Sequence, residues 1–269
     1  MVKRQFKDIG LREKIFKASY LASKLFPESR LKERSRLFFY KYIYSAPIGR
    51  KEFSLGSIRF NIVKTLFSID NKSIVKTYLK FYHPKKGDVI LDVGSFYGVY
   101  AIYCSKIVGK SGKVIAFDID PVNLKILKKN FELNKNKNLT LIEKGLWNKN
   151  TTGSISIGGT GSSVMKKHSF TKIRLVKGDD LLNNIGIKKL DCIKMNIEGA
   201  EIEAFKGLRK TINKYSPKLI IMADHYVNGE QTYKKLVPMI RAMGYGTTMT
   251  NNKIIVGTRK RLAEKHNLA

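Results

Sequence analysis

Residues 88–100, DVILDVGSFYGVY, decide how the chain folds. An apolar run ends in Asp92, turns at Gly94 and resumes with helical spacing after Gly98. A strand that turns on glycine into a helix commonly holds a cofactor. The dinucleotide fingerprint G-x-G-x-x-G fails here. Counted from Gly94, its second and third glycines are Phe96 and Val99. Asp92 stands just before the turn, where a pyrophosphate would meet a negative charge. The loop therefore suits a cofactor without phosphates that carries positive charge near the loop. S-adenosylmethionine, with a cationic ammonium and a cationic sulfonium, has that chemistry. Asp92 can attract the cation, and Gly94 and Gly98 let the backbone approach its methionine half.

Downstream, strands and helices alternate. KVIAFDI (113–119) reads as a second strand, and Pro121 opens a helix at a first-turn position where a missing N–H costs nothing. LTLIEKGL (139–146), DCIKMNI (191–197) and KLIIMAD (218–224) read as further strands. A helix runs from the fourth strand to about Tyr215, another covers about 230–243, and two short strands finish the chain. Such alternation specifies βαβ units and a mostly parallel, doubly wound α/β sheet. Asp118, 20 residues beyond Gly98, ends the second strand, where an acid can accept hydrogen bonds from both ribose hydroxyls. Asp120 is the weaker alternative. The competing reading is purely structural: the glycines make a tight turn and Asp118 caps the helix at Pro121. Between Asn148 and Lys177 the alternation breaks at GSISIGGTGSSV. The stretch reads as a β-hairpin with turn glycines, or as a flap over a site. It lacks the GK[ST] ending of a phosphate loop.

With those residues in view, LDVGSFYGVYAIYCSKIVGKSGKVIAFDIDP followed by KGDDLLNNIGIKKLDCIKMNIEGAEIEAFKG resembles the FkbM family of S-adenosylmethionine-dependent methyltransferases. The likeness covers about residues 84–226, and the family's K-x-D-V-E-G-x-E signature stands here as KMNIEGAE (194–201). It implies the class I methyltransferase fold, a seven-stranded sheet with one antiparallel strand. It also implies cofactor contacts at Asp92, Gly94, Gly98 and Asp118, to which Ser95, Tyr97, Ile119, Gly145 and Asn196 are added as candidates on and around the same loops. Family members commonly methylate hydroxyls on sugars and on polyketide or peptide-like products. Two positions depart from the pattern. The usual Glu of the second strand is Asp118, which keeps the acceptor. The usual Asp of the fourth-strand signature is Asn196, which is neither a base nor a good metal ligand. Removing a proton from an alcohol then falls to Glu198, Asp224 or His225. The bland alternatives are helix N-terminal charge for Glu198 and Glu201 and a hydrogen-bonded loop residue for His225.

The bulk composition adds a partner to this picture. The chain has 269 residues, 52 Lys and Arg against 21 Asp and Glu, and a net charge of +31. A surplus of that size suits a polyanion such as RNA, or an anionic membrane face; the alternative is compositional drift toward lysine. Residues 1–82 carry 19 Lys/Arg and 6 Asp/Glu, a net of +13, and form a basic segment for substrate recognition or docking. The methyltransferase domain then spans 83–258, and 259–269 is a basic tail. Within the first segment, Phe6 to Leu25 and Arg30 to Tyr44 have helical spacing. The second run mixes aromatics with cations, as a nucleic-acid grip, a membrane-surface helix or an ordinary packed helix would. Phe53–Val63 reads as a hairpin around Gly56.

Loss of the acid at 196 and the positive charge both suit methylation of a base ring nitrogen in a structured RNA, tRNA or rRNA, since a ring nitrogen needs no general base. The alternative is an O-methyltransferase of a sugar, glycan or lipid-linked hydroxyl, with residues 1–45 on an anionic membrane. A third reading, from another class, is a non-catalytic RNA-binding protein. Two cysteines form no disulfide framework, and four scattered histidines form no zinc cluster. No apolar run approaches the roughly 20 residues of a membrane span. These features predict a cytoplasmic enzyme without a metal.

Overall fold

The computed structural model describes residues 48–65, 71–135, 137–155 and 171–259, together with Lys14, Arg34, Ser35 and Phe38 as helical positions. Apart from those four residues, the helices expected at Phe6–Leu25 and Arg30–Tyr44 lie outside the described residues. So do the glycine-rich stretch from 156 and the tail from 260, along with any docking by residues 1–45.

The described chain opens with the hairpin expected around Gly56, made of β1 (Gly49–Leu55) and β2 (Ile58–Lys64). Phe60 and Ile62 of β2 are buried at alternate positions, the period of a half-buried strand. Helix α1 (Asn71–Leu79) follows and turns Val75 and Tyr78 inward. The alternation then begins with β3 (Val89–Val93), α2 (Val99–Val108), β4 (Lys113–Phe117), α3 (Pro121–Asn134) and β5 (Leu139–Ile142). Strands β3 and β4 are nearly continuous apolar runs because helices cover both faces of the sheet. Helix α3 starts where Pro121 predicts, but its cap is Asp120. That carboxylate accepts from the Val122 and Asn123 N–H groups, which leaves Asp118 free of the capping role.

The strand expected over 139–146 is broken in two. Glu143 and Lys144 carry the chain off the edge of the main sheet, and β6 (Gly145–Trp147) joins a separate three-stranded sheet with β7 (Thr151–Ile155) and β8 (Thr171–Lys177), in the order β6-β8-β7. Strands β7 and β8 pair antiparallel, the arms of the hairpin read from the glycine-rich stretch. The chain continues through α4 (Gly178–Ile185), β9 (Cys192–Met195), α5 (Glu201–Gly207), α6 (Arg209–Tyr215) and β10 (Lys218–Met222). A small hairpin of β11 (Tyr226–Val227) and β12 (Glu230–Gln231) precedes α7 (Tyr233–Arg241), β13 (Gly246–Met249) and β14 (Ile254–Thr258).

Seven strands form the main sheet in the order β13-β14-β10-β9-β3-β4-β5. Only β14 runs antiparallel to its neighbours, so the class I methyltransferase architecture is present as expected. Leu91, Ile115, Ile193 and Leu219 face one helical layer, and their neighbours Ile90, Val114, Cys192 and Ile220 face the other. The hairpin and α1 share this core: Phe60 and Ile62 pack with Val75, Val99 and Ile102. The hairpin is also tied to α3. Val63 N donates to Asn130 Oδ1 at 2.6 Å, and Asn134 Nδ2 donates to the Asn61 carbonyl at 3.0 Å. The sheet order reverses between β3 and β9, so a crevice lies outside the carboxyl ends of those two strands. Among the described residues, no helix is long and apolar enough to cross a membrane.

One contact fixes how the small sheet sits against helix α5. A Cβ added at Gly207 would lie 1.9 Å from the Trp147 carbonyl oxygen, backbone against backbone. Gly to Ala inside a helix is ordinarily stabilising by about 1 kcal/mol. At this position Gly207→Ala is expected to destabilise instead, by about 2 kcal/mol or more, measured by denaturant unfolding against the parent.

Candidate functional site

A cavity of about 210 Å³ opens at the carboxyl ends of β3, β4 and β9. It brings together Gly94, Ser95 and Tyr97 from the first loop, Asp118 and Ile119 from the second, Gly145 at the start of β6, and Asn196 and Glu198 after β9. Among the residues named from the sequence, Asp92, Gly98, Asp224 and His225 lie outside the lining.

The loop is built by packing before any ligand is considered. Gly94 has φ 78°, and a Cβ there would sit 1.9 Å from the Asn196 carbonyl oxygen. Only glycine lets the first loop lie against the chain leaving β9. The N–H groups of Gly94 and Ser95 both donate to the Phe117 carbonyl, at 3.0 and 2.9 Å, which ties the loop to β4 as well. Gly98 precedes α2 with its back to Phe131, so its smallness serves helix packing rather than approach to a ligand.

Asp92 corrects the sequence reading. Its side chain is fully buried, and Lys194 Nζ lies 2.8 Å from its Oδ1. The same ammonium donates to the Gly94 carbonyl at 2.7 Å and stands 5.1 Å from the centre of the Tyr78 ring. Burial alone would lower the Lys194 pKa, but the Asp92 carboxylate, with Tyr78 and Asp118, outweighs it and the pKa is raised. The charge expected to attract a cofactor is therefore already neutralised within the protein. The register explains why: Asp92 of β3 is the direct neighbour of Lys194 in β9. Lys194 itself lines the cavity. A cation within the apolar run CIKM was its signal in the sequence, since a buried charge needs a partner.

Asp118 occupies the place its sequence position suggests. Its Oδ2 accepts from Phe96 N at 2.8 Å, and its Oδ1 from Ile119 N at 2.8 Å and Asp120 N at 3.0 Å. Burial and the nearby Asp120 charge push its pKa up to about 7, against those three hydrogen bonds, which favour the anion. Asn123, missed in the sequence, also lines the cavity beside it.

Beyond β9 the signature folds into a tight acidic knot. Glu201 is fully buried and its carboxylate accepts from Ile197 N at 3.0 Å and Gly199 N at 3.1 Å. Its Oε1 also lies 3.0 Å from His225 Nδ1. The other ring nitrogen of His225 stands 3.6 Å from Glu198 and 3.7 Å from Asp224. Glu198 has φ 56°, the left-handed region that non-glycine residues seldom adopt, and it faces the cavity. Burial alone would lower the His225 pKa, but the Glu198 and Glu201 carboxylates raise it to about 10. At neutral pH His225 is thus an imidazolium. It reaches the cavity only through Glu198, and Asp224 is nearly half exposed outside it. Among the described residues, no group of acids, histidines or cysteines is arranged to hold a metal ion.

Residues 92–246 match the profile of the Methyltransferase FkbM domain, more than half of the chain. This chain belongs to the FkbM methyltransferase family. It is also similar to hexuronic acid methyltransferase AglP of Haloferax volcanii, 26% identical over 146 residues, which cover 52% of this chain and 57% of AglP. The match thus spans little more than half the length of that relative. Among solved structures, a methyltransferase FkbM from Methylobacillus flagellatus aligns with a TM-score of 0.49 at 16% identity, over 94% of this chain and 60% of the other. Fibrillarin of Aeropyrum pernix, solved with natively bound S-adenosylmethionine, aligns with a TM-score of 0.45 at 11% identity, over 78% and 81%.

The cavity is suited to S-adenosylmethionine, the cofactor expected of this family. Asn196 Oδ1, Asn123 Oδ1 and the Tyr97 hydroxyl are buried there without hydrogen-bond partners among the described residues. Buried polar atoms are nearly always satisfied, so these three call for a ligand that supplies ammonium, hydroxyl or amino groups. Asp118 adds an acceptor.

Two outcomes test this electrostatic arrangement. Lys194→Met alone leaves Asp92 as a buried unpaired charge and is expected to cost about 3–5 kcal/mol of stability. The Asp92→Asn/Lys194→Met double variant should recover most of it, by denaturant unfolding. For His225 the folded pKa, about 10, lies above its ordinary 6.5. Its stabilisation is therefore complete below pH 6.5 and is lost as pH rises through about 10. The stability difference between the parent and His225→Gln should shrink over that window.

Proposed function

We propose that the enzyme transfers a methyl group from S-adenosylmethionine to a sugar oxygen in an acidic glycan. The observation that carries this reading is Glu198, a carboxylate on the wall of the cavity with an imidazolium behind it. A sugar hydroxyl has a high pKa and needs a general base as it attacks. Asn196 stands where the family's acid would be, and it has no proton-accepting charge. His225 is already protonated at neutral pH, which leaves Glu198 as the cavity-lining carboxylate among the three candidates. Glu201 holds the knot in place by fixing the Ile197 and Gly199 amides. His225, 3.6 Å away, keeps Glu198 aimed. Bound S-adenosylmethionine supplies an electrophilic methyl group. The protein's own part is to orient the acceptor, exclude water and take its proton at Glu198.

Two further facts support an acidic sugar. The similar protein AglP is named for a hexuronic acid, and a net charge of +31 attracts an anionic acceptor over long range. That same charge supports the second reading, methylation of a structured RNA. The readings differ at Glu198, because a ring nitrogen needs no base.

Parallel pools of acidic glycan, neutral glycan and RNA, each incubated with labelled methyl donor, separate them. Label is expected in the acidic glycan. Glu198→Gln should lower kcat about 10²-fold or more while leaving S-adenosylmethionine affinity nearly unchanged. Label entering RNA at equal rates with parent and Glu198→Gln would reverse the assignment.

A further inference from the structure

The cavity poses an electrostatic problem that Asp92 does not solve. S-adenosylmethionine brings a positive sulfur, and burying a charge is costly unless something compensates it. Lys194 has already taken the carboxylate of Asp92, and Glu198 is shared with the His225 imidazolium. The remaining feature of the first loop is aromatic. Phe96 and Tyr97 stack with ring centroids 3.7 Å apart and planes 18° from parallel, and both line the cavity.

The two rings form layers. Tyr97 is buried and packs with Val63 and Ile126, so the core holds it still. Phe96 lies on top of it and is only partly buried. Its backbone is strained, with φ 53°, a conformation that is a genuine outlier for a bulky residue. Glycine would adopt it freely, yet the chain keeps a phenyl ring here. The strain is held by the Phe96 N–H, which donates to Asp118 Oδ2. Strain of this kind persists where the surroundings over-determine it, and it clusters at ligand sites.

We propose that the Phe96 ring, backed by Tyr97, receives the sulfonium of S-adenosylmethionine on its face in place of Asp92. The negative face of an aromatic ring attracts a cation, more strongly when both are out of water. The ring asks for no counter-ion of its own. Pinning Phe96 to Asp118 sets it beside the acid that the ribose hydroxyls would meet. This inference rests on the cofactor assignment and is independent of the acceptor.

Titration calorimetry of the full chain with S-adenosylmethionine and with S-adenosylhomocysteine, whose sulfur is neutral, tests it. Phe96→Leu keeps an apolar side chain and removes the ring. It should weaken S-adenosylmethionine on the order of tenfold and S-adenosylhomocysteine by less than about threefold, the spread expected of lost packing alone. Phe96→Tyr should keep both affinities. If Phe96→Leu folds poorly by thermal unfolding, Phe96→Gly relieves the backbone strain and should show the same selective loss. Equal weakening of both ligands, or of neither, would overturn the inference and leave the cofactor assignment standing. A parent protein that binds neither ligand would overturn both.

Discussion

The ion pair between Asp92 and Lys194 joins the two central strands at the point where the sheet changes direction, and the cavity is arranged around it. Both side chains are out of water, so neither tolerates the loss of the other. The ammonium also holds the Gly94 carbonyl, and Gly94 in turn lies against the Asn196 backbone. Two segments about 100 residues apart in sequence are thereby fixed to within hydrogen-bonding distance. The pair thus links strand register, loop conformation and the position of Asn196.

The consequence is a site whose charges are largely settled before a ligand arrives. On the β3 side a carboxylate is cancelled by a lysine. On the β9 side Glu198 and Glu201 share a protonated histidine. Asp118 is held near its point of ionisation by burial on one hand and three amide hydrogen bonds on the other. The cavity is thus far less charged than the protein's net +31 suggests. The net charge of the chain and the charge around the cavity are thus carried by different residues.

Much of this was legible in the sequence, for identifiable reasons. The strand–glycine–helix turn, the proline that opens α3, the hairpin around Gly56 and the sheet class all follow from local periodicity and turn chemistry, which leave their mark within a few residues. Asp118 was placed correctly because strand ends are local features too. The pairing of Asp92 was hidden because its partner is about 100 residues away, and register between parallel strands is not written in either strand. The division at Glu143 was equally obscure, since an edge strand and a strand that leaves the sheet share one apolar pattern. His225 could be named, but its protonation depends on two carboxylates brought together only by the fold.

Ile74 and Tyr78 give the cavity a wall from a helix that comes before the first strand of the sheet. By pattern, the methyltransferase unit begins at about residue 83. By shape, its binding site begins a full helix earlier. A chain shortened to the sheet would lose part of the cavity's wall and part of the core that α1 shares. The β1–β2 hairpin packs on that same helix through Phe60, Ile62 and Val75, which couples it to the site.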